Sequence, residues 1–390
     1  MPRKHAILSA SGAHRWLNCT PSARLEEHIE DQGSIYAEEG TLAHDLGEAL
    51  LTQALVVAGH YCVTEYGMPD TTTIRAHELY SADMEEQVRK YVDYALEQYA
   101  EARTRSKDAC IFLEQRLDFS QWVPEGFGTG DCTVISDGLL EIIDFKFGKG
   151  VEVEAENNPQ MMLYALGALN SYGYIYDIDR VRMTIHQPRI DNVSSWEKTV
   201  DELHRWAGEE LAPKARLAWE GEGEAVAGDW CRFCKVKARC KARADQMQAV
   251  TNAFGYRAAN LLDIGSIAKI LDKLDQIQAW ITDVSDFALT QARDHGVRFP
   301  GYKLVEGRSN RKYTDETQVE KTLRGAKYKV ADIFKPRELL GITAMEKFLG
   351  KKTFGELLND LVEKPPGKPT LVPNGDKRPE LNSAASDFDL

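Results

Sequence analysis

Two short apolar segments carry acidic residues and a lysine at spacings that suit metal-dependent chemistry. Asp131 lies in residues 130–135, and Asp144 and Lys146 lie in residues 139–147. Both segments have the length and composition of β-strands, and the Ser-Asp-Gly sequence between them predicts a hairpin turn. Pairing of the strands would bring the two acids together, and alternation puts Asp144 and Lys146 on one face. Such oxygen ligands favour Mg²⁺ or Mn²⁺, while the lysine can orient water or balance charge that develops on a phosphate.

The residues around this Asp-x-Lys triplet decide between a metal site and ordinary surface charges, because so short a motif occurs often by chance. Asp144 and Lys146 interrupt an otherwise apolar strand that also contains Ile142, Ile143 and Phe145. Burial of unpaired charge in such a strand costs free energy. The context therefore favours a site over an exposed hairpin.

Glu114 is a further acid, on the strand predicted before this hairpin. It lies in residues 110–117, an apolar segment bounded by turn residues. An exposed strand charge is the simpler interpretation of Glu114, and a position near the metals is the alternative.

The succession of Asp131 and Asp144–Phe145–Lys146 resembles the core signature of the PD-(D/E)XK nucleases. In that family the two acids and the carbonyl between Asp and Lys bind metal. The resemblance implies that Asp131, Asp144 and the backbone carbonyl of Phe145 hold Mg²⁺ or Mn²⁺, and that Lys146 assists the attacking water. It also implies a restriction-endonuclease-like α/β core, in which helices flank a mixed central sheet.

Two further segments resemble the RecB-like branch of that family. The sequence Gly-Thr-Leu-Ala-His, which ends at His44 and is followed by Glu48 one turn later, is similar to the upstream helix of the branch, whose histidine ligates a metal. Gln160 and Tyr164 resemble the Gln-x-x-x-Tyr element of the helix after the lysine strand. A spacing of four puts both side chains on one helical face, where they can contact substrate or brace Lys146. The alternatives are a packed or solvated histidine, a solvent-exposed glutamine and a core tyrosine.

Four of the seven cysteines form a second pattern. Cys231, Cys234 and Cys240 follow the nuclease motifs in a Cys-x2-Cys-x5-Cys cluster, and Cys19 precedes the motifs. This arrangement resembles the iron–sulfur RecB-like nucleases, such as AddB and the CRISPR-associated adaptation nucleases, and it implies a [4Fe–4S] cluster at the four thiolates. The alternative is Zn²⁺, which four cysteines bind tetrahedrally. Either metal would join the two ends of the nuclease domain, which favours a structural role.

Local patterns place these motifs on an ordered series of helices and strands. Helices are predicted over residues 9–25, 38–57, 82–103 and 159–170, and strands over 110–117, 130–135, 139–147 and 181–187. Ser194 and Glu197 form a capping-box sequence, which predicts a long helix to about residue 219. A long helix over residues 264–292, a strand over 302–305 and smaller helices follow. The predicted domains are a nuclease domain at 1–245, a mainly helical region at 246–362 and a proline-rich, extended or mobile tail at 363–390.

The composition limits the class of protein. A chain of 390 residues with 43% hydrophobic residues can bury a substantial core. The net charge of −13 argues against a protein that simply coats nucleic acid, but it is compatible with carboxylates gathered around cations. No apolar run approaches the roughly 20 residues that a membrane span needs. We therefore expect no membrane partner and a cytoplasmic location.

These observations lead to the hypothesis of a metal-dependent deoxyribonuclease. The resemblance implies a stand-alone exonuclease that acts on single strands or DNA ends in phage or mobile-element recombination or replication, in a bacterial host and with a partner protein from those processes. A Gly-x4-Gly-Lys-Ser/Thr loop is missing from the sequence, which excludes an ATP-driven helicase. The alternatives are a catalytically inactive DNA-binding or assembly subunit with the same fold and cluster, and a zinc-stabilised interaction protein.

Overall fold

The chain divides into two compact units, Met1–Ala258 and Ala259–Leu390. The computed structural model describes residues 6–29, 33–60, 70–252, 264–307, 309, 311–335, 338–365, 367–373 and 378–381. Each unit has a hydrophobic core of its own. The residues with predicted chemistry all lie in the first unit.

A five-stranded mixed sheet forms the centre of the first unit. Its strands, in chain order, are β1 (Cys110–Asp118), β2 (Phe127–Ser136), β3 (Leu139–Phe145), β4 (Arg180–Gln187) and β5 (Asn192–Thr199). The spatial order is the same as the chain order. β1, β2 and β3 form an antiparallel meander, β4 runs parallel to β3, and β5 is antiparallel to β4. The predicted α/β class and the predicted meander are confirmed.

Helices cover both faces of this sheet. Those before it are α1 (Ala13–Asn18), α2 (Ser22–Glu26), α3 (Ile35–Val57), α4 (Thr71–Arg75) and α5 (Ala82–Arg105). α6 (Pro159–Tyr172) makes the crossover from β3 to β4, and α7 (Val200–Trp206), α8 (Ala212–Glu220) and α9 (Lys241–Asn252) follow the sheet. α3 and α5 pack against one face, whereas α1, α6, α7 and α8 pack against the other.

The starts of these helices follow from their capping residues. Ser34 and Ser81 accept hydrogen bonds from backbone N–H groups in the first turns of α3 and α5. Asn158 caps α6 in the same way, and Pro159 occupies its first position, as the sequence predicts. The predicted helix over residues 9–25 is instead two short helices, and the interruption contains Cys19 and Pro21.

The helix predicted from Ser194 to about residue 219 begins six residues later than expected. Helical residues run from Val200 to Glu220, through α7, a π-helical turn at Ala207–Leu211 and α8. Ser194 and Glu197 lie within β5, whose residues alternate between half-buried and exposed. The Ser194 hydroxyl donates to Glu154 and accepts the N–H of Ala155, so it caps no helix. The real capping box lies five residues later, at Thr199 and Glu202, and opens α7. A glutamate three residues after a serine or threonine thus occurs twice here, and the pairing of β5 with β4 excludes the first as a helix start.

The second unit contains a long helix and several two-stranded sheets. Its helices are α10 (Ile264–Asp294), α11 (Glu316–Gly325), α12 (Val330–Ile333), α13 (Ile342–Leu349) and α14 (Lys351–Leu358). Its strands are β6 (Tyr302–Glu306), β7 (Lys312–Tyr313), β8 (Phe334–Lys335), β9 (Glu338–Leu339), β10 (Val362–Glu363) and β11 (Pro369–Pro373). Of the proline-rich segment, Pro369–Pro373 forms β11, which pairs with β6. None of the helices described in either unit is long and apolar enough to cross a membrane.

Candidate active site

The two predicted acids meet where β2 and β3 run side by side. Cys132 pairs with Ile143, so Asp131 and Asp144 are the next residues along each strand. The backbone N–H of Phe145 donates a 2.7 Å hydrogen bond to Asp131 Oδ2. Asp144 is 2% exposed. The main chain therefore fixes the separation of these acids.

Lys146 and Gln160 form a hydrogen-bonded group around Asp144. Lys146 Nζ lies 2.9 Å from Asp144 Oδ2 and 3.3 Å from Gln160 Oε1. Gln160 Nε2 donates to Asp144 Oδ1 at 3.1 Å and to the Tyr164 hydroxyl at 3.2 Å. The four-residue spacing on α6 thus puts Gln160 and Tyr164 on the face that meets the lysine strand. Lys146 is fixed further by its backbone N–H, which donates to the carbonyl of His186 on β4.

His44 reaches the acids from α3. Its Nδ1 lies 3.4 Å from Asp131 Oδ1, and its ring contacts Phe145 with 5.2 Å between ring centroids. Phe145 in turn stacks on Tyr91 of α5, which supports the strand from behind. All six of the predicted catalytic and substrate-contacting side chains therefore converge at one end of β2 and β3.

Glu114 joins this group, so its interpretation as an exposed strand charge is wrong. Ligand atoms of His44, Glu114 and Asp131 all lie within 4.8 Å of one another. Leu113 pairs with Cys132 and Gln115 with Gly130, which places Glu114 opposite Asp131.

The backbone conformation at Glu114 explains why its position beside Asp131 could not be predicted from the sequence. Glu114 has a φ of 47°, a left-handed conformation that few residues other than glycine adopt. Before this point Leu113 faces the α3 and α5 core, whereas after it Leu117 faces the α1 and α6 core. Ile111, Leu113 and Leu117 occupy alternate positions in the sequence, as they would if all three faced the same side of a regular strand. The only sequence signal that could have placed Glu114 opposite Asp131 was the pairing register of β1 and β2. The length of the loop between these strands does not determine that register.

The histidine and the acids of this group shift one another's pKa values, and a metal ion that bound there would displace the protons of His44 and Glu114. Burial lowers the pKa of His44, but the Asp131 carboxylate outweighs this effect and raises that pKa to about 9. Burial, followed by repulsion from Asp131, raises the pKa of Glu114 to about 9. Burial also opposes ionisation of Asp131, yet His44, Lys146 and the Phe145 N–H together hold its pKa below the usual value. An imidazole nitrogen and carboxylate oxygens this close together suit a divalent metal ion.

The four cysteines of the second pattern line one cavity. Cys19, Cys231, Cys234 and Cys240 surround it together with Trp230 and Lys237. Burial raises the pKa of the Cys19 thiol, and burial with the nearby Glu26 raises that of Cys234 to about 12. The four cysteines that the sequence pattern grouped therefore lie around one cavity, although Cys19 is more than two hundred residues from the other three.

Hydrogen bonds also join the cysteine-bearing segments. The Thr20 hydroxyl donates to the carbonyl of Glu222, and the Lys235 N–H donates to Glu26. Arg24 donates to the carbonyl of Trp219 and stacks over its ring. These contacts therefore hold the two ends of the first unit together beside the cavity that the four cysteines line.

Comparison with protein families gives a match over nearly the whole chain. Residues 5–379 match the family described as "Protein of unknown function (DUF2800)". The chain belongs to the DUF2800 family. A solved structure titled "Crystal structure of SSO0001" is 12% identical to this DUF2800 protein, with a TM-score of 0.21. That match covers 59% of this chain and 96% of the solved chain.

This DUF2800 protein thus has two separate groups of ligating side chains in its first unit. One consists of oxygen and imidazole ligands beside a lysine, and the other consists of four thiols. The first group has the donors that a hydrolytic metal ion needs. The second has the donors of a structural zinc or iron–sulfur centre.

Proposed function

We propose that this protein is a metal-dependent deoxyribonuclease of the RecB-like PD-(D/E)XK type, with a restriction-endonuclease-like core. Its substrate is a DNA phosphodiester, on single strands or at DNA ends. The observation that carries the proposal is the convergence of six side chains from separate parts of the sequence at one end of the sheet. They are His44, Asp131, Asp144, Lys146, Gln160 and Tyr164.

The acidic side chains and His44 would hold the cation. His44, Glu114 and Asp131 supply three ligands, and Asp144 with the Phe145 carbonyl completes the set. A Mg²⁺ or Mn²⁺ ion bound there lowers the pKa of a bound water and polarises the phosphate.

The lysine and the glutamine position the reacting groups. The Lys146 ammonium is held between Asp144 and Gln160, where it can orient the attacking water and balance the charge that grows on the phosphate oxygens. Gln160 uses both ends of its amide at once, since it accepts from Lys146 and donates to Asp144. Tyr164 limits the rotation of that amide. These four side chains, Asp144, Lys146, Gln160 and Tyr164, are therefore fixed before substrate arrives, which avoids reorganisation during the reaction.

The four cysteines would hold a [4Fe–4S] cluster with a structural role. Cys19 precedes the catalytic residues, and the other three follow them. A cluster at this place would close a loop of more than two hundred residues, which restricts the unfolded chain. The cysteine cavity contains none of the six catalytic and substrate-contacting residues.

The decisive experiment is a cleavage assay with labelled linear and circular DNA, single- and double-stranded, in Mn²⁺ or Mg²⁺. Lys146→Ala should abolish cleavage, while Lys149→Ala, an exposed lysine three residues later, should not. Cleavage of linear but not circular DNA would establish an exonuclease. Binding without cleavage by the wild-type protein would indicate an inactive DNA-binding subunit instead. Equal cleavage by Lys146→Ala would refute the site.

The cluster has its own test. Protein purified without oxygen should contain about four iron atoms per chain. Cys231→Ser should lose them, whereas Cys110→Ser, which changes a cysteine on β1 outside the cavity, should keep them. Zinc in place of iron would refute the iron–sulfur assignment.

A further inference from the structure

The hairpin of β1 and β2 has an inner face that is closed and an outer face that is open. A Cβ atom added to Gly128 would lie 2.7 Å from the ring of Tyr164, and one added to Gly130 would lie 2.7 Å from Leu117. These two positions therefore face the core. Because side chains alternate along a strand, Phe127, Thr129 and Asp131 lie on the opposite face, where Thr129 is exposed and Asp131 is half-buried beside His44 of α3. One of the metal-binding acids thus shares its face with two further residues.

Arg116 lies on this outer face. It pairs with Thr129 across the hairpin, and cross-strand partners share a face. Its guanidinium lies over the ring of Phe127, 3.4 Å from the centroid. Arg116 is exposed, and it makes no hydrogen bond or ion pair within the part of the chain that the structure describes.

The contact with Phe127 prepares Arg116 for an anion. Stacking holds a guanidinium by its flat face and leaves its five N–H groups free in the plane. The nearest acid along β1, Asp118, already accepts a 2.8 Å hydrogen bond from the N–H of Ser120. The cavity beside Arg116 and Phe127 has a volume of about 660 Å³, which is enough for a nucleotide. Two acids, Asp118 and Glu125, also line it, so an anion could be held only at Arg116, its one cationic lining residue.

The position of Arg116 relative to the acids indicates which anion it would bind. Thr129, its cross-strand partner, is two residues from Asp131, a distance of about 7 Å along the strand. That is about the spacing of neighbouring phosphates in an extended single strand. A guanidinium fork matches two phosphate oxygens.

We infer that Arg116 binds a phosphate of the nucleic-acid strand next to the one that is hydrolysed, and that Phe127 is a positioning residue for Arg116. The inference rests on the proposed function, because the metal site defines the hydrolysed phosphate. It adds a subsite that follows the outer face of the hairpin away from the acids.

The test measures both binding and cleavage. Binding of a fluorescent oligothymidine is followed in Ca²⁺ over a range of salt concentrations, and cleavage of the same strand is followed in Mn²⁺. Arg116→Ala should raise the Kd and the KM about tenfold, as expected for one charged hydrogen-bonded contact, with kcat nearly unchanged. The slope of log K against log salt should fall by about 0.7, the value for one phosphate contact on a single strand.

Matched variants separate the role of charge from that of geometry. Arg116→Lys should restore the salt slope and only part of the affinity, because a lysine keeps the charge and loses the fork. Phe127→Leu should raise the KM less than Arg116→Ala does. Arg216→Ala, at an exposed position on α8, should behave as the wild type.

The outcomes distinguish this inference from the proposed function. An unchanged KM and salt slope in Arg116→Ala, with normal cleavage, would overturn the subsite and leave the nuclease intact. A fall in kcat at constant KM would also overturn it. In a further case, the wild type cleaves no DNA but binds it with a salt dependence that Arg116→Ala reduces. That result would refute the proposed nuclease activity and support a phosphate contact at Arg116.

Discussion

The backbone N–H of Phe145 and the carboxylate of Asp131 are joined by a 2.7 Å hydrogen bond between neighbouring strands. Phe145 lies between Asp144 and Lys146 in β3. A single hydrogen bond therefore orients Asp131 against the strand that carries Asp144 and Lys146. Oδ1 of the same carboxylate faces His44 at 3.4 Å. Asp131 is thus a structural acceptor, and in the proposed nuclease it is also a metal ligand.

Asp131→Asn should separate these two roles. Asparagine keeps an oxygen for the Phe145 N–H but loses the negative charge that a cation needs. We expect Mn²⁺-dependent cleavage to fall more than about a hundredfold, beyond the usual effect of removing a group that only supports a ligand. Single-turnover cleavage and thermal unfolding measure the two roles separately. Asp93→Asn, at an exposed position on α5, is the matched control.

Glu114→Gln tests the ligand that the sequence did not reveal. The change preserves size and removes the charge of one of three side chains whose candidate ligand atoms lie within 4.8 Å of one another. Mn²⁺ affinity measured by calorimetry should fall at least about tenfold. Glu125→Gln, on the loop between β1 and β2, should leave the affinity unchanged. An unaltered affinity in Glu114→Gln would remove Glu114 from the metal site.

Loss of the Gln160 side chain should reduce kcat more than loss of the Tyr164 hydroxyl. Gln160→Ala removes the amide that contacts both Lys146 and Asp144, so we expect kcat to fall about tenfold or more. Tyr164→Phe removes only an acceptor for that amide and should reduce kcat much less. Steady-state cleavage kinetics check the order. The reverse order would indicate that the Tyr164 hydroxyl acts on the substrate directly.

Glu141 should make stability depend on pH. Its side chain is 2% exposed on β3, where Thr184 donates to it and Arg182 lies 3.5 Å away. Burial raises its pKa from 4.5 to about 7. The folded state therefore binds the proton more tightly than the unfolded state. This contribution is fully present below pH 4.5 and is lost as pH rises through about 7.

The expected loss is about 3 kcal/mol across that interval. Glu141→Gln should abolish this part of the pH dependence, because glutamine does not titrate. Urea unfolding at about pH 5 and about pH 8 measures the difference between the two proteins. The prediction fails if both lose the same free energy of unfolding over this range.

The sequence predicted the centre of the fold because its signals are local there. The meander, the cap at Asn158 and the spacing of Gln160 and Tyr164 each depend on a few neighbouring residues, and the structure contains all of them. The convergence of His44 with Asp131 came only from resemblance, since the packing of a helix on a sheet leaves no such short-range pattern.

The wrong predictions share a physical cause. The Ser194 sequence fits a helix cap and a strand equally well, and the hydrogen bonds of β4 select the strand. Glu114 was misplaced because one left-handed residue reversed the faces of β1 without disturbing its apolar pattern. In both cases the deciding interaction joins residues that are distant in sequence.

The two glycines of β2 have a consequence for the path of the substrate. Gly128 and Gly130 let Tyr164 and Leu117 approach so closely that not even a methyl group would fit between them and the strand. In the proposed nuclease, a DNA strand therefore cannot pass between β2 and Tyr164 of α6. The exposed approach along β2 is the face that carries Thr129 and Arg116.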